Sequence, residues 1–572
     1  MPLRPPAHRL PAHSRPSTAL LSPCWRPLGG WLLGAVLLLP AGCRASEGTL
    51  PAAGSAPAAA AGPVLPMLPP PPPPPAEAGS GEGAGASLHW PVPPPPALQA
   101  TGPVLWVALV SRLGVPPGAS ASATAAPLRL AAAGGVLVLE DGARRRVQAS
   151  EALLQWRWEP LAQPLIVRRE VLGPFASHES ALAVARRWEA AGVRPVIARP
   201  AEWEVWAPAG TPPPEGFTAR RVERRETRRL VPVWQGAAGE PVVLQGPIRI
   251  QAAQGLRWGE GVHQGPFRLQ ADAHGGWTLL EEVPLERYLL GVVPHEIGAG
   301  SPPAALAAQA VLARTWAVRN RGRYRVDGYH LCADTQCQVY SDPRVAGTEV
   351  RQAIAATRGL VLSTGGAPIH AVYHASNGGI AAGLEEAWEG ESLPYLQVFA
   401  DGDAPFVARH PLPLAAAALP GLLRNGQGAY GAGHSLFRWQ RELTAERIGA
   451  ALAARGRAVG AVSSLRVLER GPSGRVVALE IGGSGGPVVL RRDAIRRTLR
   501  SLPSTLFTLA PAGPGRWQVE GGGFGHGAGL SQAGAIDLAR RGWSSERILG
   551  HYYPGTTLQR LEAIDAGLRE GS

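Results

Sequence analysis

The stretch from Val283 to Tyr340, VPLERYLLGVVPHEIGAGSPPAALAAQAVLARTWAVRNRGRYRVDGYHLCADTQCQVY, constrains this chain more than any other. Tyr288 to Val293 is an apolar run too short to assign by periodicity, and Pro294 interrupts it just before His295 and Glu296. Glu296 therefore stands where an element ends. From Pro302 the pattern turns helical: prolines fit a first turn, and Leu306, Ala310, Ala313 and Ala317 recur at three- and four-residue spacing with Arg314 beside them. The small face can pack closely while Arg314 reaches back toward an acid.

A lone glutamate at an element boundary is ordinarily a solvated carboxylate. His295-Glu296 begins like the zinc-protease motif H-E-x-x-H, but Ala299 occupies the next ligand position, so this segment cannot present two imidazoles to one metal. His330-x-Cys332-x4-Cys337 is a second constellation. Ligands this close can hold three corners of a zinc site, with water, His370, His374 or His526 as the fourth; two cysteines five apart in an exported chain can equally form a disulfide. Structural zinc on His330, Cys332 and Cys337 is the preferred reading.

Composition removes other chemistries. The chain has 572 residues, enough for more than one domain, and a net charge of +13. All 56 basic residues are arginine, so a Walker A loop, a Schiff-base lysine and a Ser-Lys dyad are excluded. The basic charge suits an anionic partner such as the cell wall, whereas the aromatic interleaving of a nucleic-acid motif is missing and no nucleic-acid partner is expected.

Residues 1–43 read as an export signal: arginines precede the apolar run Trp31 to Leu39, which ends in Pro40-Ala41-Gly42-Cys43. The run is too short for a bilayer span, which needs about 20 apolar residues. Small residues before Cys43 resemble a lipoprotein cleavage site, with simple cleavage or an uncleaved anchor as the alternatives. The chain is expected in the periplasm or cell envelope, with a membrane tether by signal anchor or lipid. Residues 44–101, rich in Pro, Ala and Gly, read as an extended spacer.

Short β pieces follow from Val104 and make 102–163 a β-rich region. Pro164 to Pro208 reads strand, Gly-Pro-Phe turn, helix capped by Ser177, strand, strand, with Ala181, Val184, Ala185 and Trp188 on one helix face. Residues 209–235 are an Arg-rich connector, and 236–570 complete a main domain. The fold class is α+β: a multi-segment mixed core with a β-rich N-terminal region and an inserted βαβ-type module.

Two further blocks carry chemistry. Val372-Tyr373-His374-Ala375-Ser376-Asn377-Gly378-Gly379 precedes Ala387-Trp388-Glu389-Gly390, and Gly521 to Ala535 (GGGFGHGAGLSQAGA) precedes His551-Tyr-Tyr-Pro-Gly555. The second could be mistaken for a dinucleotide loop, but no βαβ unit with a ribose-binding acid follows it. Paired glycines let a backbone approach a substrate, and aromatic faces can stack on sugar rings.

Val-Pro-Leu-Glu-x-Tyr, Gly-Val-Val-Pro-x-Glu and Ala-x-x-Ala-Gln-Ala-Val-x-Ala-Arg-Thr, together with these blocks, resemble the sporulation stage II protein D family of peptidoglycan lytic transglycosylases, which includes the amidase enhancers. The resemblance covers most of 102–570. It implies that Glu296 is the catalytic acid/base, with Arg314 in the active-site surroundings. It points to Tyr373, His374, Ser376, Asn377, Gly378, Gly379, His526 and Gln532 as substrate-binding residues. Some family members bind zinc at a similar His/Cys cluster. Where the family often has Thr-Glu after the two glycines, this chain has Ile380-Ala381-Ala382, so a second carboxylate is missing there. The segment 164–208 resembles half or more of a SPOR domain, a glycan-binding module.

The implied reaction cleaves the MurNAc-GlcNAc linkage of peptidoglycan glycan strands to 1,6-anhydro products. Ordinary glycosidases place two carboxylates across the bond; this reaction needs one, whose pKa burial must raise toward neutrality. Arg314 touching Glu296 would oppose that rise, so it is expected to meet substrate or developing negative charge, while Glu286 has a structural role such as an ion pair. The alternative is a binding protein that holds glycan or recruits a cell-wall amidase without cleaving.

Overall fold

The computed structural model describes residues 86–114, 125–236 and 241–564. The segment 1–43 expected to direct export, with Cys43, and the expected spacer up to residue 85 lie outside the described residues.

Alternation of apolar and polar side chains builds the first sheet. Ile248–Ala252 buries Ile248, Ile250 and Ala252 and exposes Arg249 and Gln251, the period-two pattern of a one-sided strand. The sheet runs Leu331–Cys332, Val104–Leu113, Trp277–Pro284, Phe267–Ala271, Ile248–Ala252, Leu137–Glu140, Arg146–Ala149. All neighbours are antiparallel except Leu331–Cys332, which joins Val104–Leu113 in parallel and sets Cys332 opposite Ala108. Trp277–Pro284 then feeds directly into the helix Leu285–Val293.

A second sheet is built on Glu151–Phe175, a strand of 25 residues that pairs antiparallel with Arg220–Gln235. Much of the expected connector at 209–235 is therefore a strand of 16 residues. From Glu223 to Arg229 the strand shows arginines on both faces of the ribbon, while the consecutive Leu230 to Val233 are buried, so a composition that reads as a solvated link also suits the exposed stretch of a two-stranded ribbon.

The expected helix after Gly-Pro-Phe is His178–Ala190, with the Ser177 hydroxyl accepting the Ser180 N–H as N-cap. Ala181, Val184, Ala185 and Trp188 are its buried face, and the strands Val196–Ala198 and Trp203–Pro208 follow. This segment lacks a core of its own: Val184, Trp188 and Trp203 pack in one cluster with Ala108, Leu280, Tyr324, Tyr329 and Cys332. Packed chain also begins before Val104. Leu98 and Ala100 are buried, and the Pro96 carbonyl meets the His330 ring 2.9 Å away.

The largest core surrounds the helix Pro303–Arg319. Leu306, Ala310, Ala313 and Ala317 are buried as the stripe requires, and so is nearly every other side chain from Ala305 to Val318. A helix enclosed on all sides shows little amphipathic contrast. Around it pack Leu285–Val293, Thr348–Ala356, Leu360–Thr364, Gln532–Arg540 and Ser545–Tyr552. The remaining region has the helix Ala445–Ala453, strands Val462–Arg470 and Val476–Gly483 on either side of the Ser473-Gly474-Arg475 turn, and the helix Asp493–Thr498. Helices and antiparallel sheets coexist as an α+β fold.

Candidate active site

Proline and glycine position the central acid. Pro294 lacks the N–H that would continue the helix Leu285–Val293, and the backbone widens into a single π-helical turn, Pro294–Gly298, ended by Gly298 at φ +87°. Glu296 lies in that turn. Behind it, Gly291 lets the segment 338–341 approach: a Cβ there would lie 2.5 Å from both the Tyr340 ring and the Ser341 carbonyl oxygen. The Ser341 N–H donates to the Gly291 carbonyl at 3.0 Å, and the Tyr340 hydroxyl donates to buried Glu281 at 2.8 Å. These contacts fix the Val339 N–H, which donates to Glu296 Oε1 at 2.8 Å.

The second neighbour of Glu296 is Tyr373. Its hydroxyl lies 2.7 Å from Gln338 Oε1 and also hydrogen-bonds Glu296. Gln338 is itself held, its amide donating to the Tyr288 hydroxyl and the Ala313 carbonyl at 3.3 Å each. Burial pushes the half-buried Glu296 carboxyl up to about 7, outweighing the Val339 and Tyr373 hydrogen bonds that favour its ionised form. Near neutral pH this acid is therefore present in both protonation states.

Glu296 opens into a cavity of about 210 Å³, whose walls include Trp316, Gln338, Tyr373, Trp388 and His526. The other carboxyls of the cleft are differently occupied. Glu386 accepts both the Ser473 N–H and hydroxyl, at 2.9 and 2.7 Å. Glu179, from the helix His178–Ala190, is ion-paired to Arg323, and the segment 164–208 thus contributes directly to the cleft wall. Asp493 is hydrogen-bonded to Ser177 and raised to about 6 by burial.

Arg314 departs from its expected place. It is fully buried, and its Nε and Nη2 donate to the two oxygens of Glu286 at 2.8 Å each, while Nη1 donates to the Leu360 carbonyl at 3.0 Å. This bidentate pair bolts the helices Leu285–Val293 and Pro303–Arg319 to the strand Leu360–Thr364, away from the cavity lining. Glu286 is thereby the structural acid that its motif suggested.

The expected substrate-binding set divides. Tyr373 and His526 line the cavity. His526 Nε2 faces the Tyr373 carbonyl at 2.8 Å, its ring lies 4.7 Å from Trp388, and burial drives its pKa down to about 3, so it is a neutral polar wall. The rest do not line this cavity. Asn377 Nδ2 donates to Asp401 Oδ2 at 2.6 Å, and Asp401 also receives His551 and Tyr552, so this buried acid ties two of the sequence blocks together. Ser376 pairs with Phe524 through backbone hydrogen bonds, and Gln532 donates to Gln309 at 3.3 Å. His374 is buried, its Nδ1 at 3.1 Å from the Ala528 carbonyl. Gly378 and Gly379 have φ of +72° and +98°. A Cβ on Gly378 would sit 2.7 Å from the Gly522 carbonyl carbon and one on Gly379 would sit 2.9 Å from the Phe406 ring, so the first glycine admits a neighbouring backbone and the second a packed side chain.

The expected zinc site is not formed. Cys332 and Cys337 are joined as a disulfide with Cα atoms 5.7 Å apart. His330 Nδ1 accepts the Trp106 N–H at 2.8 Å and Nε2 meets the Pro96 carbonyl at 2.9 Å, leaving neither nitrogen for a metal. Among the described residues no group of three His, Cys, Asp or Glu side chains is arranged to hold an ion. The bridge closes the loop just before Gln338 and Val339, the residues that contact Tyr373 and Glu296.

Gln338, Val339, Glu179, Arg323, Asp493 and Arg496 complete the cleft without having been singled out by motif. For Gln338 and Val339 the only sequence signal is their place between Cys337 and Tyr340.

Comparison with known proteins follows the same segments. Residues 273–363 match the family model described as Stage II sporulation protein, and 382–529 match a domain of unknown function, DUF8618. Stage II sporulation protein D of Bacillus amyloliquefaciens is 29% identical over 307 residues, covering 50% of this chain and 77% of the relative. The protein of that name from Bacillus subtilis is 28% identical over 300 residues, with the same coverage. An amidase enhancer of Bacillus subtilis is 29% identical over 292 residues, 47% of this chain and 40% of the relative.

Proposed function

We propose that this chain, which the matches above assign to the Stage II sporulation protein family, is an exported cell-wall enzyme that cleaves the MurNAc-GlcNAc linkage of peptidoglycan without water. The observation that carries the reading is Glu296: a cleft acid with a pKa near 7, held by one backbone N–H and one tyrosine hydroxyl.

In its protonated form Glu296 donates to the glycosidic oxygen as the bond to the anomeric carbon breaks. The resulting carboxylate retains the Val339 N–H, and the Tyr373 hydroxyl, which donates to Gln338 Oε1 in the resting site, turns to donate to it. It then removes the proton of the sugar's own 6-hydroxyl as that oxygen attacks the anomeric carbon, closing a 1,6-anhydro ring and restoring the acid. One group serves both half-steps, so its pKa must lie near the working pH. Trp316 and Trp388 supply flat apolar faces of the kind that stack on sugar rings. The segment 164–208 borders this cleft: its Glu179, paired with Arg323, stands between the cleft and a second, larger cavity of about 790 Å³ beside the helix His178–Ala190.

The similarity to an amidase enhancer favours a second reading, in which the same cleft holds glycan and recruits an amidase. Incubating the purified chain with denuded and with peptide-bearing sacculi separates the two. Release of 1,6-anhydro ends supports the enzyme, whereas sedimentation with sacculi and no new ends supports the enhancer.

A further inference from the structure

The cleft has a cationic wall that the proposed cleavage does not use. Arg492, Arg496 and Arg497, from the edge and body of the helix Asp493–Thr498, line the cavity that holds Glu296. Arg496 makes no hydrogen bond or ion pair among the described residues; its charged neighbours are Arg497, which repels it, and Asp493. The Arg497 Nε is buried without a partner. Arg492 uses its Nε on the Glu385 carbonyl at 2.8 Å and is held at φ +50°, a backbone conformation that residues with a Cβ rarely adopt. Asp493, the one carboxyl among them, is 9% exposed and hydrogen-bonded to Ser177; its Oδ2 has no hydrogen-bond partner, and its charge acts on Arg496 and Arg497 without an ion-pair contact. Arg496 is half-buried on the cavity wall and Arg497 keeps a buried Nε without an acceptor, so a planar anion that accepts two N–H donors at once finds unused donors there. Burial presses Arg496 down to about 10, with the Arg497 charge adding to the drop and the Asp493 charge opposing it.

We propose that Arg496 and Arg497 form an anion subsite for a carboxylate carried by the glycan, placed in the same cavity as Glu296. On a peptidoglycan strand that carboxylate is either the lactyl group of N-acetylmuramic acid or a carboxylate of the stem peptide. This deepens the reading above and rests on it for the identity of the substrate. The subsite discriminates acidic from neutral sugars and sets which residue of the strand faces the acid.

The test is binding by the full exported chain in a Glu296→Gln background, so that no probe is consumed. Three probes of equal length are compared: N-acetylglucosamine oligomers without carboxylate, denuded glycan, and peptide-bearing glycan. The acidic strands should bind about 10- to 100-fold tighter than the neutral oligomer, and Arg496→Gln or Arg497→Gln should erase that margin while leaving the neutral oligomer unchanged. Arg496→Lys, which keeps charge and bulk but loses the fork, should retain part of it. Loss with denuded glycan identifies the lactyl carboxylate; loss confined to peptide-bearing glycan identifies the stem peptide. Equal affinity for all three probes, or an equal loss for all three in the Gln variants, overturns the subsite. If the arginine-dependent margin persists while the wild type yields no anhydro product, the subsite stands and the cleavage reading falls.

Discussion

Replacing Glu296 with Gln keeps the side-chain shape and both polar neighbours while removing the titrating proton. The amide oxygen accepts the Val339 N–H, and the amide nitrogen can donate to the Tyr373 hydroxyl oxygen. The wild-type carboxyl is raised by burial from 4.5 to about 7, so folding holds a proton that the unfolded chain has already released. Below pH 4.5 the group is protonated in both states and contributes no difference. Between there and pH 7 wild-type stability falls relative to the variant, by up to about 1.4 kcal/mol per pH unit, and above pH 7 the gap is constant. A shift of this size corresponds to about 3 kcal/mol; because Glu296 is half-buried, about 2–3 kcal/mol is expected above pH 7. Urea unfolding of both proteins at pH 4.5, 6 and 8 measures it, since every other carboxyl cancels in the difference. Glu296→Gln should match wild type at pH 4.5 and exceed it at pH 8. A gap independent of pH, or a wild type more stable at pH 8, would refute a carboxyl raised by burial.

Other expectations follow from neighbouring contacts. Tyr373→Phe removes a hydrogen bond that lowers the Glu296 pKa, so the pH–rate profile should shift to higher pH with a loss of about 10-fold in rate; an unmoved profile contradicts the contact. Arg314→Lys keeps the charge but loses the bidentate fork to Glu286 and should cost about 2–4 kcal/mol in denaturant unfolding with glycan affinity retained; wild-type stability would argue against the bolt. The peptide carrying Cys332 and Cys337 should have a mass two hydrogens below its reduced form, and elemental analysis should find no stoichiometric zinc; free thiols with one zinc per chain would reverse the disulfide assignment.

Local signals carried well from sequence to fold. The Pro294 break, the small-residue stripe and the Ser177 cap all depend on nearby residues, and each is present where the pattern placed it. What depended on distant partners was harder to read. Arg314 sits in a motif beside the proposed acid, yet its partner is 28 residues upstream, and only the packed helices show that it faces Glu286. Gly378 and Gly379 signal a close approach without saying to what; the neighbour of Gly378 is the backbone at Gly522 and Gly523, and that of Gly379 is the Phe406 ring. The Arg-rich strand hid its pairing because its partner, Glu151–Phe175, is selected by nonlocal hydrogen bonds. The spacing of His330, Cys332 and Cys337 suits metal or disulfide alike; the decision lies with Trp106 and Pro96, which occupy both imidazole nitrogens. Arg496 lies 200 residues from Glu296 and outside every recognised motif, so only the cavity joins them.

Product analysis of wild type and Glu296→Gln on the same denuded glycan bears most directly on the account. Mass spectrometry should find 1,6-anhydro ends from the wild type, and a loss of at least about 10²-fold in the variant with glycan binding intact. Anhydro ends formed equally by both proteins, or only reducing ends from the wild type, would contradict it.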